Sequence, residues 1–278
     1  GKYFRSGPGG KGSNQAIAIH RTGEDVTLIT KLGKDALGEM AQAFYQNEAM
    51  EMKGILIDQS YETGAALIIV DEKTAQNEIV VTLGACEHFT EEDISYTKEV
   101  LADADIVLAQ LETNLEATEA VIKYAKSRGI LTILNPAPAK QLNDELLRSV
   151  DILTPNETEA ASLTGLSVNN KDQTSVRKAA QNLLDRGVGK VVITLGEMGA
   201  YATDGSQEMF VSPIRIGQVV DTTGAGDAFN GGLASGLAQG MTFFQATKYA
   251  SVVSSLAVTK MGTAPSMPYK QEIMKYYN

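Results

Sequence analysis

Short apolar runs without polar alternation recur along this chain, and amphipathic stretches lie between them. The runs are Val26–Thr30, Asp105–Gln110, Leu131–Asn135, Asp151–Thr154 and Lys190–Leu195. The stretches are Ala36–Asn47, Glu91–Leu101, Leu115–Arg128, Asn156–Leu163 and Ser175–Arg186. A strand that is apolar on both sides must be covered on both sides, and strand–helix–strand connections make neighbouring strands parallel. The pattern predicts a doubly wound, mainly parallel α/β sheet flanked by helices, formed by residues 1–278 as a single domain. Ligands of such sheets sit beyond the carboxyl ends of the strands, so the residues just after each run carry the function.

Two runs break the rhythm. Ala65–Val70 and Glu78–Thr82 are separated only by the polar turn "DEKTAQN". They read as an antiparallel hairpin, about 65–82, inserted into the βα chain. It is either an edge of the main sheet or a small β lid over the site.

Composition narrows the partners. A net charge of −10 speaks against a general nucleic-acid binder, which needs a basic face, although a local loop can still take an anionic nucleotide. The single cysteine, Cys86, excludes a disulfide framework and a Cys-rich zinc site, and it fits a reducing, cytoplasmic setting. No apolar run approaches the ~18–20 residues that cross a bilayer. The expectation is a cytoplasmic protein acting on small molecules, with neither nucleic acid nor membrane as partner.

The glycine-rich segment "GPGGKGSNQAIAIHRTG", residues 7–23, can be read three ways. As a dinucleotide fingerprint it lacks a good preceding strand and an acid at the end of the next one. As a nucleotide P-loop it fails because Lys11 is followed by Gly12 rather than Ser or Thr. A turn that merely starts a helix remains open. So does a polar site in which backbone N–H groups and Lys11 hold something other than a nucleotide phosphate.

The strand ends carry further chemistry: Glu112 in "QLETNLE", the turn "NPAPA", Asn156 and Glu159 in "TPNETEA", and Thr194, Gly196 and Gly199 in "TLGEMGA". Asn156 and Glu159 could equally form a helix-capping pair. The most informative segment is "VVDTTGAGDAFNGGLASGLAQG", residues 219–240. Gly224, Ala225 and Gly226 leave the backbone bare at a helix start, where N–H groups and the helix dipole favour an anion. Asp227, at the same helix start, is placed to accept a proton from a hydroxyl. An anion hole beside a base suits phosphoryl transfer; a capped, glycine-rich helix start is the plain alternative.

"GGKGSNQA", "NPAPA", "TPNETEA" and "DTTGAGDAFNGG", in this order and spacing, resemble the ribokinase family of carbohydrate kinases (PfkB type), from about Gly7 to Pro268. The resemblance implies ATP-dependent phosphorylation of the 5-hydroxyl of D-ribose, with Asp227 as base and Gly224, Ala225 and Gly226 as anion hole. It places Gly9, Gly10, Lys11, Asn14 and Glu112 on the sugar, with Ala66 and Ile68 of the lid packed over it. It places Asn156, Thr194, Gly196, Gly199 and Ser251 along ATP, and Glu159 on Mg²⁺ through water. A monovalent cation, K⁺, would lie among Asp221, Thr223, Ala257, Lys260, Gly262 and Ser266, several of them acting through carbonyls. A homodimer formed through the lid is also implied.

The sequence departs from that family in two places. Family members begin with a strand ending in a short N-x-D segment whose Asp anchors two sugar hydroxyls. The sequence from Gly1 lacks it, and the expectation is that leading residues precede Gly1 or that this is a fragment stable only with help. Because that segment reads the 2-hydroxyl, deoxyribose stays open as substrate, as does a non-catalytic sugar- or nucleotide-binding fragment, although the presence of Asp227 argues against the latter. In "GACEHF", Cys86 and His88 stand where the family has small or amide residues; they read as surface variation, and His20 as structural.

Overall fold

The computed structural model describes residues 6–70 and 77–277, the side chains of 68–70 and 77–79 excepted. The chain opens with helix α1 (Lys11–Arg21), strand β1 (Thr30–Gly33), helix α2 (Ala36–Asn47) and strand β2 (Ile55–Asp58). An antiparallel hairpin follows, β3 (Thr63–Val70) with β4 (Asn77–Gly84). Strand and helix then alternate: α3 (Glu91–Val100), β5 (Ile106–Ala109), α4 (Leu115–Ser127), β6 (Leu131–Leu134), α5 (Asp144–Leu147), β7 (Ile152–Leu153), α6 (Glu157–Thr164), α7 (Gln173–Asp185) and β8 (Lys190–Thr194). Strands β9 (Ala200–Thr203) and β10 (Glu208–Val211) lead to α8 (Ala225–Ala238), α9 (Phe243–Ala257) and α10 (Lys270–Ile273).

The main sheet has the order β10-β9-β8-β7-β6-β5, with β5 to β8 parallel and the β9–β10 edge antiparallel. Neighbouring residues of its strands point to opposite faces. Leu134, Leu153, Val191 and Ile193 enter one core with α4, α5, α6 and α7. Ile133, Ile152 and Val192 enter the other, with Phe229 and Leu233 of α8 and Ala246 and Ala250 of α9. The doubly wound sheet expected from the apolar runs is thus present, with a helical layer on each face.

Three readings need correction. The first strand is not Val26–Thr30 but Thr30–Gly33: Thr27 makes only a single bridge to Glu51, and a turn at Lys53–Gly54 interrupts the partner before the ladder starts at Thr30–Ile55. Its ladder with β2 is a separate two-stranded sheet. The strands β2, β9 and β10 escaped notice; β9 is "AYAT", fully buried yet poor in β-branched residues. The hairpin is longer than Ala65–Thr82 and pairs only with itself among the described residues, so it is not an edge of the main sheet. Its base packs on β1, α2 and the 3-10 turn Ala85–His88.

Helix α8 holds the geometry of the site together. Its sequence, with Gly231, Gly232 and Gly236, is a poor intrinsic helix former, and packing compensates. A Cβ on Gly231 would stand 2.5 Å from the Ala18 Cβ, so α8 meets α1 nearly backbone to backbone. This close approach brings the starts of the two helices together over the strand ends.

Candidate active site

Asp227 lies in the first turn of α8 and is 6% exposed. Each carboxylate oxygen accepts one amide: Asn14 Nδ2 donates to Oδ2 at 2.8 Å and Gln15 Nε2 to Oδ1 at 2.9 Å. Burial pushes the Asp227 carboxyl above the usual carboxylate range, while the Lys11 charge and the two amides pull the other way. Asn14 is itself buried, and its Oδ1 has no partner among the described residues. A buried acceptor of this kind is costly unless a ligand donor meets it.

Two more carboxylates, the part-buried Glu112 and the buried Glu159, share the field of Lys11. Glu112, just past β5, accepts the backbone N–H of Lys11 through Oε2 at 2.8 Å. Glu159, in α6, is 7% exposed. Burial raises both carboxyls, and Lys11 opposes the rise in each case. Gly10, the N-cap of α1, has its Cα facing Glu112, and Gly9 faces the Thr263 hydroxyl. The structure therefore joins Gly9, Gly10, Lys11, Asn14, Glu112 and Asp227 in one place. Ala66 is exposed on the hairpin. Ile68 pairs with Ile79 in the ladder, and its side chain lies outside the described ones.

The segment before α8 is the one expected to form the anion hole. Gly224 is its N-cap with φ 80°, and Gly226 is exposed. First-turn N–H groups have no partner inside their own helix. One of the three, that of Ala225, is taken by the Thr222 carbonyl at 3.2 Å. Nearby, Asn156 and Glu159 form the capping box of α6: Oδ1 accepts the Glu159 N–H and Oε2 the Asn156 N–H, both at 2.8 Å. The capping alternative is thus present; the Asn156 amide group and the second Glu159 oxygen are not used by it. Thr194 bridges to Asn156 and donates its N–H to the Pro155 carbonyl.

Two glycines and a serine fare differently. Gly196 has φ 54° and open space where a Cβ would be. Gly199 has φ 90°, and a Cβ there would run into the Val211 carbonyl, so the β8–β9 turn alone demands this glycine. Ser251 is buried in α9; the hydroxyl that reaches the start of α8 is that of Ser254, which donates to the Ala225 carbonyl at 2.9 Å.

Asp221 ties two loops together, accepting the Thr223 N–H at 2.9 Å and the Gly262 N–H at 3.0 Å. Burial works against its charge, but these N–H groups prevail and hold the carboxyl below its usual range. Beside it lie the last carbonyls of α9, including Ala257 and Val258, where the helix dipole is negative. The Lys260 ammonium points away to Glu272 at 2.7 Å, and the Ser266 hydroxyl donates to the Thr263 carbonyl at 2.7 Å. A carboxylate beside a helix C-terminus is a donor set that fits a cation. Among the described residues no group of three or more His, Cys, Asp or Glu is placed to hold a metal directly. His88 stacks on Tyr61, the Cys86 thiol donates to the Lys31 carbonyl, and His20 bonds the Glu48 carbonyl; all three are structural contacts.

Sequence reasoning missed Gln15, Asn135, Thr154 and Asn230, each at most 6% exposed. The available signal was an amide in the otherwise small and apolar run of α1, and polar residues at the very ends of buried strands.

A model of the pfkB family of carbohydrate kinases matches residues 1–270. The bifunctional ribokinase/ribose-5-phosphate isomerase A of Fructilactobacillus sanfranciscensis is 42% identical over 277 residues, 99% of this chain and 51% of that protein; the chain spans about half its length. The ribokinase of Haemophilus influenzae is 37% identical over 276 residues, 99% of this chain and 89% of that one. The structure of Arabidopsis thaliana ribokinase complexed with ribose and ATP superposes with a TM-score of 0.89 at 30% identity, over 99% of this chain and 88% of that one. No described helix is long and apolar enough to cross a membrane.

Proposed function

Because the chain belongs to the pfkB family of carbohydrate kinases, we propose that it transfers the γ-phosphoryl group of ATP to the 5-hydroxyl of D-ribose, giving D-ribose 5-phosphate. The observation that carries this reading is the buried Asp227 carboxylate, oriented by two amides beside the bare start of α8. The arrangement suits a base for the attacking hydroxyl next to N–H groups for the charge that develops on the transferred group.

The sugar is held by Gly9, Gly10, Lys11, Asn14 and Glu112, with the unpartnered Asn14 Oδ1 accepting a hydroxyl. ATP lies along Asn156, Thr194 and Gly196, with its phosphates toward the α8 start. Glu112, Glu159 and Asp227 lie in the field of Lys11, and the phosphates of ATP would supply most of the ligands of a divalent cation. Glu159 holds Mg²⁺ through water, and Mg²⁺ when bound neutralises phosphate oxygens. Asp221 and the carbonyls around Ala257 and Gly262 hold K⁺, which steadies the Gly224–Gly226 backbone. The hairpin covers the sugar with its Ala66 face and meets the hairpin of a second subunit with its Leu67 face, in the cytoplasm.

Asp227→Asn should lower kcat by about 10²-fold or more, with sugar binding retained. Turnover at the wild-type rate by the folded variant would refute the assignment. The same assay run with 2-deoxyribose separates the two sugars: a higher kcat/KM for 2-deoxyribose would overturn ribose while leaving the phosphoryl chemistry in place.

A further inference from the structure

Asp227 belongs to a closed ring of buried polar groups. Gln15 Nε2 donates to Asp227 Oδ1 and to Asn135 Oδ1, at 2.9 and 3.1 Å. Asn135 Nδ2 donates to the Thr154 carbonyl at 3.0 Å. The Thr154 hydroxyl donates to Asn230 Oδ1 at 2.5 Å, and Asn230 Nδ2 donates to the Gly226 carbonyl at 2.8 Å. Gly226 precedes Asp227, so the ring closes in the first turn of α8. Gln110 Nε2 donates to Gln15 Oε1 at 2.5 Å from outside it.

Two backbone carbonyls fix the direction of every bond in this ring. A carbonyl can only accept, so the Thr154 carbonyl forces the Asn135 amide group toward itself and Asn135 Oδ1 toward Gln15. Gln15 must then present its own amide group to both Asn135 and Asp227. By the same reasoning the Gly226 carbonyl orients Asn230, which in turn takes the Thr154 hydroxyl. The donor facing Asp227 is therefore set by strand ends and not by the carboxylate itself. A buried network satisfied at every member is stiff, and breaking one link exposes the others to the cost of unpaired groups.

We infer that Gln15 is a positioning residue for phosphoryl transfer: through the ring Gln15–Asn135–Thr154–Asn230 it fixes the Asp227 carboxylate relative to the first turn of α8. This rests on the reading of Asp227 as the base. The charged groups facing Asp227 are Lys11 from α1, Glu112 from beyond β5 and Glu159 from α6. Lys11 favours the carboxylate and the two glutamates oppose it, so loss of the Gln15 donor tips the balance toward the proton.

The test uses Gln15→Leu and Gln15→Glu, with Asn135→Asp as a second break in the ring, each measured for kcat, KM and pH dependence beside Asp227→Asn. Gln15→Leu should lower kcat at pH 7 by about 10-fold or more, with the KM for ATP unchanged within about two-fold. The acid limb of its kcat profile should move to higher pH, so that raising pH recovers part of the lost rate. Gln15→Glu should move the limb further, because a second carboxylate then faces Asp227. If Gln15→Leu lowers only the melting temperature, or lowers kcat equally at every pH, the residue is structural and the inference fails. An inactive Asp227→Asn beside a wild-type pH profile in all three ring variants sinks this inference alone. A fully active Asp227→Asn sinks the reading it rests on.

Discussion

Asn14 shows how one side chain can serve two partners. Its amide nitrogen gives one N–H to Asp227, and its oxygen is buried with no protein partner among the described residues, so the oxygen is open to a donor from substrate. Asn14→Ala should therefore raise the KM for sugar by the equivalent of about 1–3 kcal/mol, leave the KM for ATP nearly unchanged and also lower kcat through Asp227. A selective loss of ATP affinity would return the glycine-rich segment to a nucleotide role. The residues that touch this carboxylate were only partly legible in the sequence. Asp227 stood out because Gly-Ala-Gly before it leaves the helix start bare and the other polar strand ends accompany it, although a carboxylate at a helix start also has a plain structural reading. Gln15 did not, since its role depends on Asn135 and Thr154, which lie far along the chain and meet it only in the folded molecule. Gly199 shows a second reason for a glycine at a strand end, since the Val211 carbonyl excludes any side chain there whatever the glycine backbone contacts.

Elements were legible where local signals agreed. Helix α2 runs over Ala36–Asn47 as its periodicity predicts, because Asp35 caps it by accepting the Gly38 N–H. Helix α3 starts where Thr90 and Asp93 form a capping box. Strand β1 was misplaced because an extended apolar run says nothing about where its partner becomes available, and that is decided by the turn at Lys53–Gly54. At this scale the loop holding Asp221 makes a prediction of its own. Its carboxylate joins the loop before α8 to the loop after α9, and a cation among their carbonyls would hold the two in register. Replacing K⁺ by a large organic cation should lower kcat severely while changing sugar KM little. Full activity in buffer free of both K⁺ and Na⁺ would remove the cation from the site.

At the scale of the whole molecule, the hairpin leaves large apolar side chains open to solvent. Leu67 and Val80 are direct cross-strand partners and so share one face, at 53% and 64% exposure. A two-stranded hairpin with an open apolar face is marginal in water unless something covers it. Leu67→Asp should shift the protein from dimer to monomer in sedimentation at micromolar concentration; a monomeric wild type would exclude this assembly. The packing of α8 on α1 has a different consequence, one of timing. Asn14 and Asp227 are 213 residues apart in sequence, and Gly231 lets their helices meet only once both exist. The buried members of the α4–α7 core, by contrast, all lie between Leu101 and Tyr201. On the ribosome the segments of that core emerge before α8 is made, but the sheet face that carries Ile133, Ile152 and Val192 stays bare until α8 and α9 arrive. Any product released before α8 is synthesised would therefore lack both the cover of that face and Asp227, and it should be unstable as well as inert.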